Sequence, residues 1–330
     1  MAQGWAIIGI GKLADVAIAP AIASAAGCEL VAVCSRDLGR AKAFAGRHGV
    51  ATAYDDLAAM VADDSVDVVY IATPNGLHRA HALTAMRAGR HVLVDKPLAV
   101  TVADGREMVE AASAAGVRLG TGFQMRHKET NLAARASIRA GDIGRAVFLD
   151  IWLSAGKDHF PYDTWRSDTT LAGGGTVLNQ GTHVIDLLQF LADSPIVEVS
   201  CVTDVAPLED VFAATCRLDN GALATIASNQ VLGGTPRDWV AVGTEGWLEG
   251  RRALAAPGGD ELTLHRGDAT TVLARSTAPA YAREVEEFAA AVREQRQPNG
   301  SGEDGLRTIA VVDALYRAAR EARTVTVDLP

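Results

Sequence analysis

WAIIGIGKLA, residues 5–14, is the stretch on which the fold turns. Trp5–Ile10 reads as a strand and Leu13–Ala26 as a helix, so the glycines fall on a strand–turn–helix junction. The pattern is G-x-G-x-x-A, in which a small third residue lets the helix pack closely on the strand. Two glycines let backbone amides approach a pyrophosphate at a helix N-terminus. In that context Gly9, Ile10, Gly11, Lys12 and Leu13 read as a dinucleotide cradle rather than a plain tight turn.

Working outward, short β-branched runs alternate with alanine-rich ones up to Gly122. Strands are expected at Leu30–Cys34, Val66–Ala72, His91–Val94 and Arg118–Gly122, and helices at Leu38–Arg47, Gly76–Ala88 and Val102–Ala115. VDVVYIA and ELVAVC lack alternation, as befits strands buried on both faces of a parallel sheet. The fold class is α/β: a Rossmann-type doubly wound parallel sheet over residues 1–122. Pro20 should kink or restart the first helix.

After Gly122 the pattern changes. Lys128–Ala140 reads as a helix and Val147–Leu153 as a strand, and Ser154–Gly175 is irregular. A helix follows over Gly173–Asp186, running to about Leu191. Turn signals at Asp219-Asn220-Gly221, Gly233-Gly234 and Gly258-Gly259 punctuate a mostly antiparallel meander from Val197 to Leu273. Helices over Ala282–Gln295 and Asp304–Arg320 close the chain. Residues 123–330 are therefore expected to form an α+β domain with a large, mostly antiparallel sheet.

The 330 residues carry a net charge of -9, which argues against nucleic acid or an anionic membrane as partner. The four cysteines are scattered, without CxxC, which fits a reducing compartment and no structural zinc or other metal. The N-terminus has no signal-peptide pattern and no apolar run is long enough to span a bilayer, so the expected location is cytoplasmic.

The second strand ends at Ser35-Arg36-Asp37, with Arg40 one turn on. A serine stands where an acid would hold the ribose of NAD, and Arg36 and Arg40 could clamp a 2′-phosphate, which favours NADP(H). NAD(H) stays possible: the arginines could be merely solvated, and Asp37 could serve the ribose after a small shift. In HVLVDKP, residues 91–97, Lys96 leaves the carboxyl end of a core strand, where ligands of open α/β sheets bind. A partly desolvated lysine there can pass or receive a proton. In GGGTVLNQGTHVID, residues 173–186, Asn179 and His183 are four apart, hence on one helix face. The glycines would let a bulky ligand approach the helix N-terminus.

Together GIGKLA, ATPNGLH (72–78), VLVDKPLAVT (92–101), GGGTVLNQGTHVID and GEDGL (302–306) resemble the Gfo/Idh/MocA oxidoreductase family across nearly the whole chain. Within it they are similar to 1,5-anhydrofructose reductases and related NADP-linked sugar enzymes. The resemblance implies that Lys96 and His183 are catalytic and that Lys96–Pro97 is cis. It places Thr73, Pro74 and Asn75 on the cofactor, with Asp95 and His78 close by, and Trp165 and Arg166 at the nicotinamide end. It also implies a homodimer or homotetramer formed through the C-terminal sheet. Asp95 and Asn179 stand where the family more often has Glu and Asp, so Asn179 reads as a substrate anchor rather than a base. Arg126, His159, Tyr162 and Asp163 are candidates for the pocket lining. The expected activity is hydride transfer at a carbinol carbon of a sugar or polyol. Alternatives are a redox-neutral, NAD-dependent glycosidase and a non-catalytic dinucleotide-binding regulator.

Overall fold

The computed structural model describes residues 2–156, 164–204, 208–233, 237–254, 259–276 and 279–330. Two compact units are present: Met1–Gln124 with Tyr281–Leu306, and Met125–Ala280 with Arg307–Pro330.

The first unit begins with β1 (Gln3–Ile8), a π-helical turn (Ala14–Ile18), α1 (Ala19–Ser24), β2 (Cys28–Cys34) and α2 (Leu38–His48). It continues with β3 (Thr52–Tyr54), α3 (Leu57–Val61), β4 (Val68–Ile71), α4 (His78–Arg87), β5 (His91–Asp95), α5 (Val102–Ala115) and β6 (Leu119–Gly122). The six strands are parallel, in the order β3-β2-β1-β4-β5-β6. Strand order reverses between β1 and β4, the switch point at whose carboxyl edge such sheets bind ligands. β4 is buried along its whole length, as its unbroken apolar run requires. β3 and α3 are too short to show a period in the sequence. Pro20 does restart the helix. It has no N–H to give and crowds the preceding turn, so that turn widens to π geometry, with Ala19 N–H bonded to the Ala14 carbonyl.

The second unit contains α6 (Glu129–Ala140), β7 (Ala146–Ser154), α7 (Thr169–Ala172), α8 (Thr176–Asn179) and α9 (Gly181–Ala192). Strands β8 (Ile196–Thr203), β9 (Val211–Leu218), β10 (Leu223–Asn229) and β11 (Trp239–Gly243) follow, then β12 (Trp247–Arg251), β13 (Asp260–Arg266) and β14 (Ala269–Ser276). With β15 (Val325–Thr326) they form a nine-stranded sheet, β14-β13-β12-β11-β7-β10-β9-β8-β15. Its pairs are antiparallel except β7 with β10. Every residue of α9 is buried, so this helix is apolar almost all round and lies against β7 and β10. Alternation sends Leu149, Ile151, Phe212 and Ile226 into the core. The neighbouring positions Phe148, Trp152, Val211 and Leu223 remain 37–47% exposed on the other face.

One return of the chain departs from the expected single cut near Gly122. α10 (Ala280–Arg293) brings Val285, Phe288 and Ala289 into the core of the first unit, with Phe288 edge-on to Trp5 at 5.8 Å. Gly120 admits it: a Cβ there would lie 2.7 Å from the Phe288 ring. Ser301 then bridges Gly120, and Leu306 in α11 (Gly302–Glu321) joins the same unit's second cluster.

Candidate functional site

In the first unit the two glycines of the turn do different work. Gly9 has φ +93, and a Cβ on it would sit 2.6 Å from the Ala72 carbonyl. That glycine lets the ends of β1 and β4 lie against each other. Gly11 has nothing within 4 Å of a Cβ position, so the space above it is clear. A clear cradle at a helix start, with Ile10, Lys12 and Leu13 around it, fits a pyrophosphate. At the end of β2, Asp37 caps α2, its Oδ1 accepting the Arg40 N–H at 3.0 Å. Ser35 Oγ accepts the Asp37 N–H. Arg36 and Arg40 are exposed.

Thr73, Pro74 and Asn75 leave the end of β4, and Asn75 opens a 3-10 turn into α4. His78, expected near the cofactor, is instead fully buried. Its Nδ1 lies 2.8 Å from the Pro97 carbonyl and its Nε2 lies 2.9 Å from the Thr73 carbonyl. The ring lies between the two loops and exposes no surface of its own. Burial pushes it down to about 4, against the two carbonyls, which favour the protonated ring. His81, one turn further along α4 and not singled out from sequence, meets Thr73 Oγ1 through Nδ1 at 3.1 Å.

Lys96 follows β5 directly, and the Lys96–Pro97 peptide is cis, as the resemblance implied. The phenols of Tyr70 and Tyr281 are held well above their ordinary range, first by burial and then by the Asp95 and Glu284 carboxylates. Tyr281 and Glu284 come from α10, and no signal near Lys96 in the sequence announces them.

In the second unit the helix expected over Gly173–Leu191 is broken at Gln180. Asn179 ends α8, and the His183 N–H bonds the Gln180 carbonyl at 3.0 Å rather than that of Asn179. The Asn179 carbonyl takes the Thr182 hydroxyl at 3.2 Å instead. His183 is 9% exposed. The glycine run also has a different purpose from the one expected. Glu209 fills the space: its carbonyl accepts the Thr176 N–H at 2.8 Å and its Oε1 accepts the Val177 N–H at 2.8 Å. A Cβ on Gly175 would lie 2.2 Å from the Glu209 carbonyl oxygen, and one on Gly174 would meet the Tyr316 hydroxyl. The chain's own carboxylate, not a ligand, occupies this helix start. Burial raises the Glu209 carboxyl, opposed by the donors around it.

Arg126, a candidate for substrate contact from the sequence, is committed elsewhere by the structure. It is 6% exposed, and its Nε and Nη2 donate to both oxygens of Asp186, the shortest contact being 2.6 Å. Such a buried fork is held by its partner carboxylate. Trp165 and Arg166 share a 3-10 turn, with the guanidinium 4.4 Å from the indole. His159, Tyr162 and Asp163 lie outside the described residues. Among the described residues no group of three or more His, Cys, Asp or Glu side chains is placed to hold a metal, and no helix is long and apolar enough to cross a membrane.

Two family models match this chain. Residues 4–123 match an oxidoreductase family with an NAD-binding Rossmann fold, and residues 131–249 match the GFO/IDH/MocA C-terminal domain. The chain is 31% identical to the 1,5-anhydro-D-fructose reductase of Ensifer adhaerens, over 98% of each protein. It is 30% identical to the D-xylose 1-dehydrogenase (NADP(+)) 2 of Haloferax volcanii, over 98% of this chain and 99% of that one. Among solved structures, aldose-aldose oxidoreductase from Caulobacter crescentus, complexed with glycerol, superposes with a TM-score of 0.92 at 27% identity. That match covers 99% of this chain and 100% of the other.

Proposed function

The chain belongs to the Gfo/Idh/MocA family of NAD(P)-dependent oxidoreductases acting on CH–OH groups. From that premise we propose that it moves a hydride to or from a carbinol carbon of a sugar, polyol or sugar derivative. One observation carries the reading. The glycine turn, the Thr73–Asn75 loop and Lys96 leave the carboxyl ends of β1, β4 and β5, three adjacent parallel strands at the switch point. The reductase and the dehydrogenase to which the chain is similar act on sugars, which supports the substrate class.

A bound nicotinamide supplies the hydride donor or acceptor. Gly9–Leu13 would hold its pyrophosphate by backbone amides, Thr73, Pro74 and Asn75 would line it, and Trp165 and Arg166 would border its nicotinamide end. Lys96 hydrogen-bonds the reacting oxygen, stabilises the negative charge that develops there and relays its proton. His183 gives a proton to the carbonyl oxygen or takes one from the hydroxyl. Asn179 orients a neighbouring hydroxyl. Asp95 supports Lys96 from the preceding position.

NADP(H) is the preferred cofactor in this reading. Asp37 is engaged as the α2 cap, and Arg36 and Arg40 stand exposed beside it. Phe148, Trp152, Val211 and Leu223 support a further element, a homo-oligomer formed through the open face of the nine-stranded sheet.

A panel of sugars and polyols, followed at the nicotinamide absorbance with NADP and NADPH, tests the substrate class. Lys96→Met should cut turnover at least about a hundredfold while cofactor affinity is kept. Near-normal turnover in that variant removes Lys96 from the mechanism.

A further inference from the structure

Inside the second unit a hydrogen-bonded chain runs from Asn179 through Gln230 to Asp210. β9 and β10 pair antiparallel with Val211 opposite Asn229, so Asp210 and Gln230 form the next pair outward. The Gln230 N–H donates to the Asp210 carbonyl at 2.9 Å, and the Asp210 N–H is tied to Asp204 Oδ1 at 2.9 Å. α8 packs on both strands, and Asn179 is its last residue.

Gln230 is 4% exposed, and its side-chain orientation follows from its neighbours. Its Nε2 donates to Asp210 Oδ1 at 3.2 Å and to the Glu209 carbonyl at 3.4 Å. An amide has one donor end and one acceptor end. With the nitrogen facing two acceptors, the oxygen is the end turned to Asn179, whose Nδ2 donates to it at 3.4 Å. Asn179 therefore points its nitrogen at Gln230 and its Oδ1 the other way.

We propose that Gln230, anchored by Asp210, is a positioning residue that fixes the Asn179 amide with its oxygen as the acceptor for a substrate hydroxyl. The inference rests on the reading of Asn179 as a substrate anchor. It also accounts for asparagine at a position where the family more often has aspartate. An ionised aspartate has no proton to give, so its carboxylate would face the Gln230 oxygen, with the Asp210 charge just beyond. Asparagine meets both demands, a donor toward Gln230 and an acceptor toward the substrate.

Four variants test this: Asn179→Asp, Asp210→Asn, the two combined, and Gln230→Leu. Each is read by melting temperature, substrate KM and cofactor Kd. Asn179→Asp should melt about 2–4 °C lower and show a KM raised about tenfold. In the combined variant the amide introduced at position 210 can donate to the Gln230 oxygen. The Gln230 nitrogen can then turn toward the carboxylate introduced at position 179. Melting temperature and KM should both return toward wild type. Gln230→Leu should raise KM about tenfold with cofactor Kd unchanged. Strictly additive melting shifts at 179 and 210 would overturn the network. Coupled melting shifts with an unmoved KM in every variant would instead overturn the substrate role of Asn179, and with it the positioning role of Gln230.

Discussion

The His78 Nδ1 lies 2.8 Å from the carbonyl oxygen of Pro97, the residue after Lys96. Its Nε2 lies 2.9 Å from the Thr73 carbonyl, so one buried imidazole sits between the lysine's strand end and the loop leaving β4. A neutral ring has one N–H and donates to one of the two carbonyls. Two loops that carry proposed cofactor and catalytic groups thus share one fixed point.

This joint has a pH signature. The ring sits at about 4 in the folded chain, against an ordinary 6.5. Between those values the unfolded chain takes up a proton that the folded chain refuses. The stability of the neutral ring is therefore present above about 6.5 and lost as pH falls toward 4, by about 3 kcal/mol. Urea unfolding between pH 4 and 7 should show a loss on acidification that is smaller in His78→Gln by that amount. Equal losses in both proteins would acquit His78. Turnover of His78→Gln should fall about tenfold or more, because Lys96 and Thr73 lose their common tie.

Arg36→Ala and Arg40→Ala should each weaken NADPH binding about tenfold and leave NADH binding unchanged. Cofactor fluorescence titrations measure both. Equal weakening of the two cofactors, or wild-type protein that binds NADH tenfold more tightly, would reverse the preference for NADP(H).

Arg126→Met should destabilise the fold by about 3–5 kcal/mol, because it takes the guanidinium away from a buried carboxylate. Asp186 is 1% exposed. Arg126→Met combined with Asp186→Leu should recover most of that loss. Chemical denaturation gives both values. Unchanged stability with a strongly raised substrate KM would return Arg126 to the binding site.

Two glycine-to-alanine changes should part company. Gly11→Ala places its Cβ in clear space, so folding is kept while dinucleotide affinity falls about tenfold or more. Gly175→Ala drives a Cβ into the Glu209 backbone and should cost about 1–3 kcal/mol of stability. Calorimetry and cofactor titration separate the two effects. A Gly175→Ala protein as stable as wild type would show that Glu209 yields at little cost.

Much of the first unit was legible because its signals are local. A glycine turn after an apolar run, unbroken β-branched strands and Pro20 each act over a few residues, and five of the six parallel strands follow from them. The short β3 and α3 left no period to read. α10 was legible as a helix but not as part of the first unit, since its place depends on Phe288 meeting Trp5 and Gly120 from far along the chain.

Among the candidate residues the same division holds. The sequence by itself determined the fold class, the glycine turn at Gly9–Gly11 and the strand-end place of Lys96. Those follow from period, turn chemistry and spacing, which are properties of adjacent residues. Only the tertiary structure decided how polar groups were spent. It set His78 between two carbonyls and gave Arg126 to Asp186, the glycine run to Glu209 and the Asn179 nitrogen to Gln230. A buried polar group must find a partner, and that partner is set by proximity in space rather than in sequence.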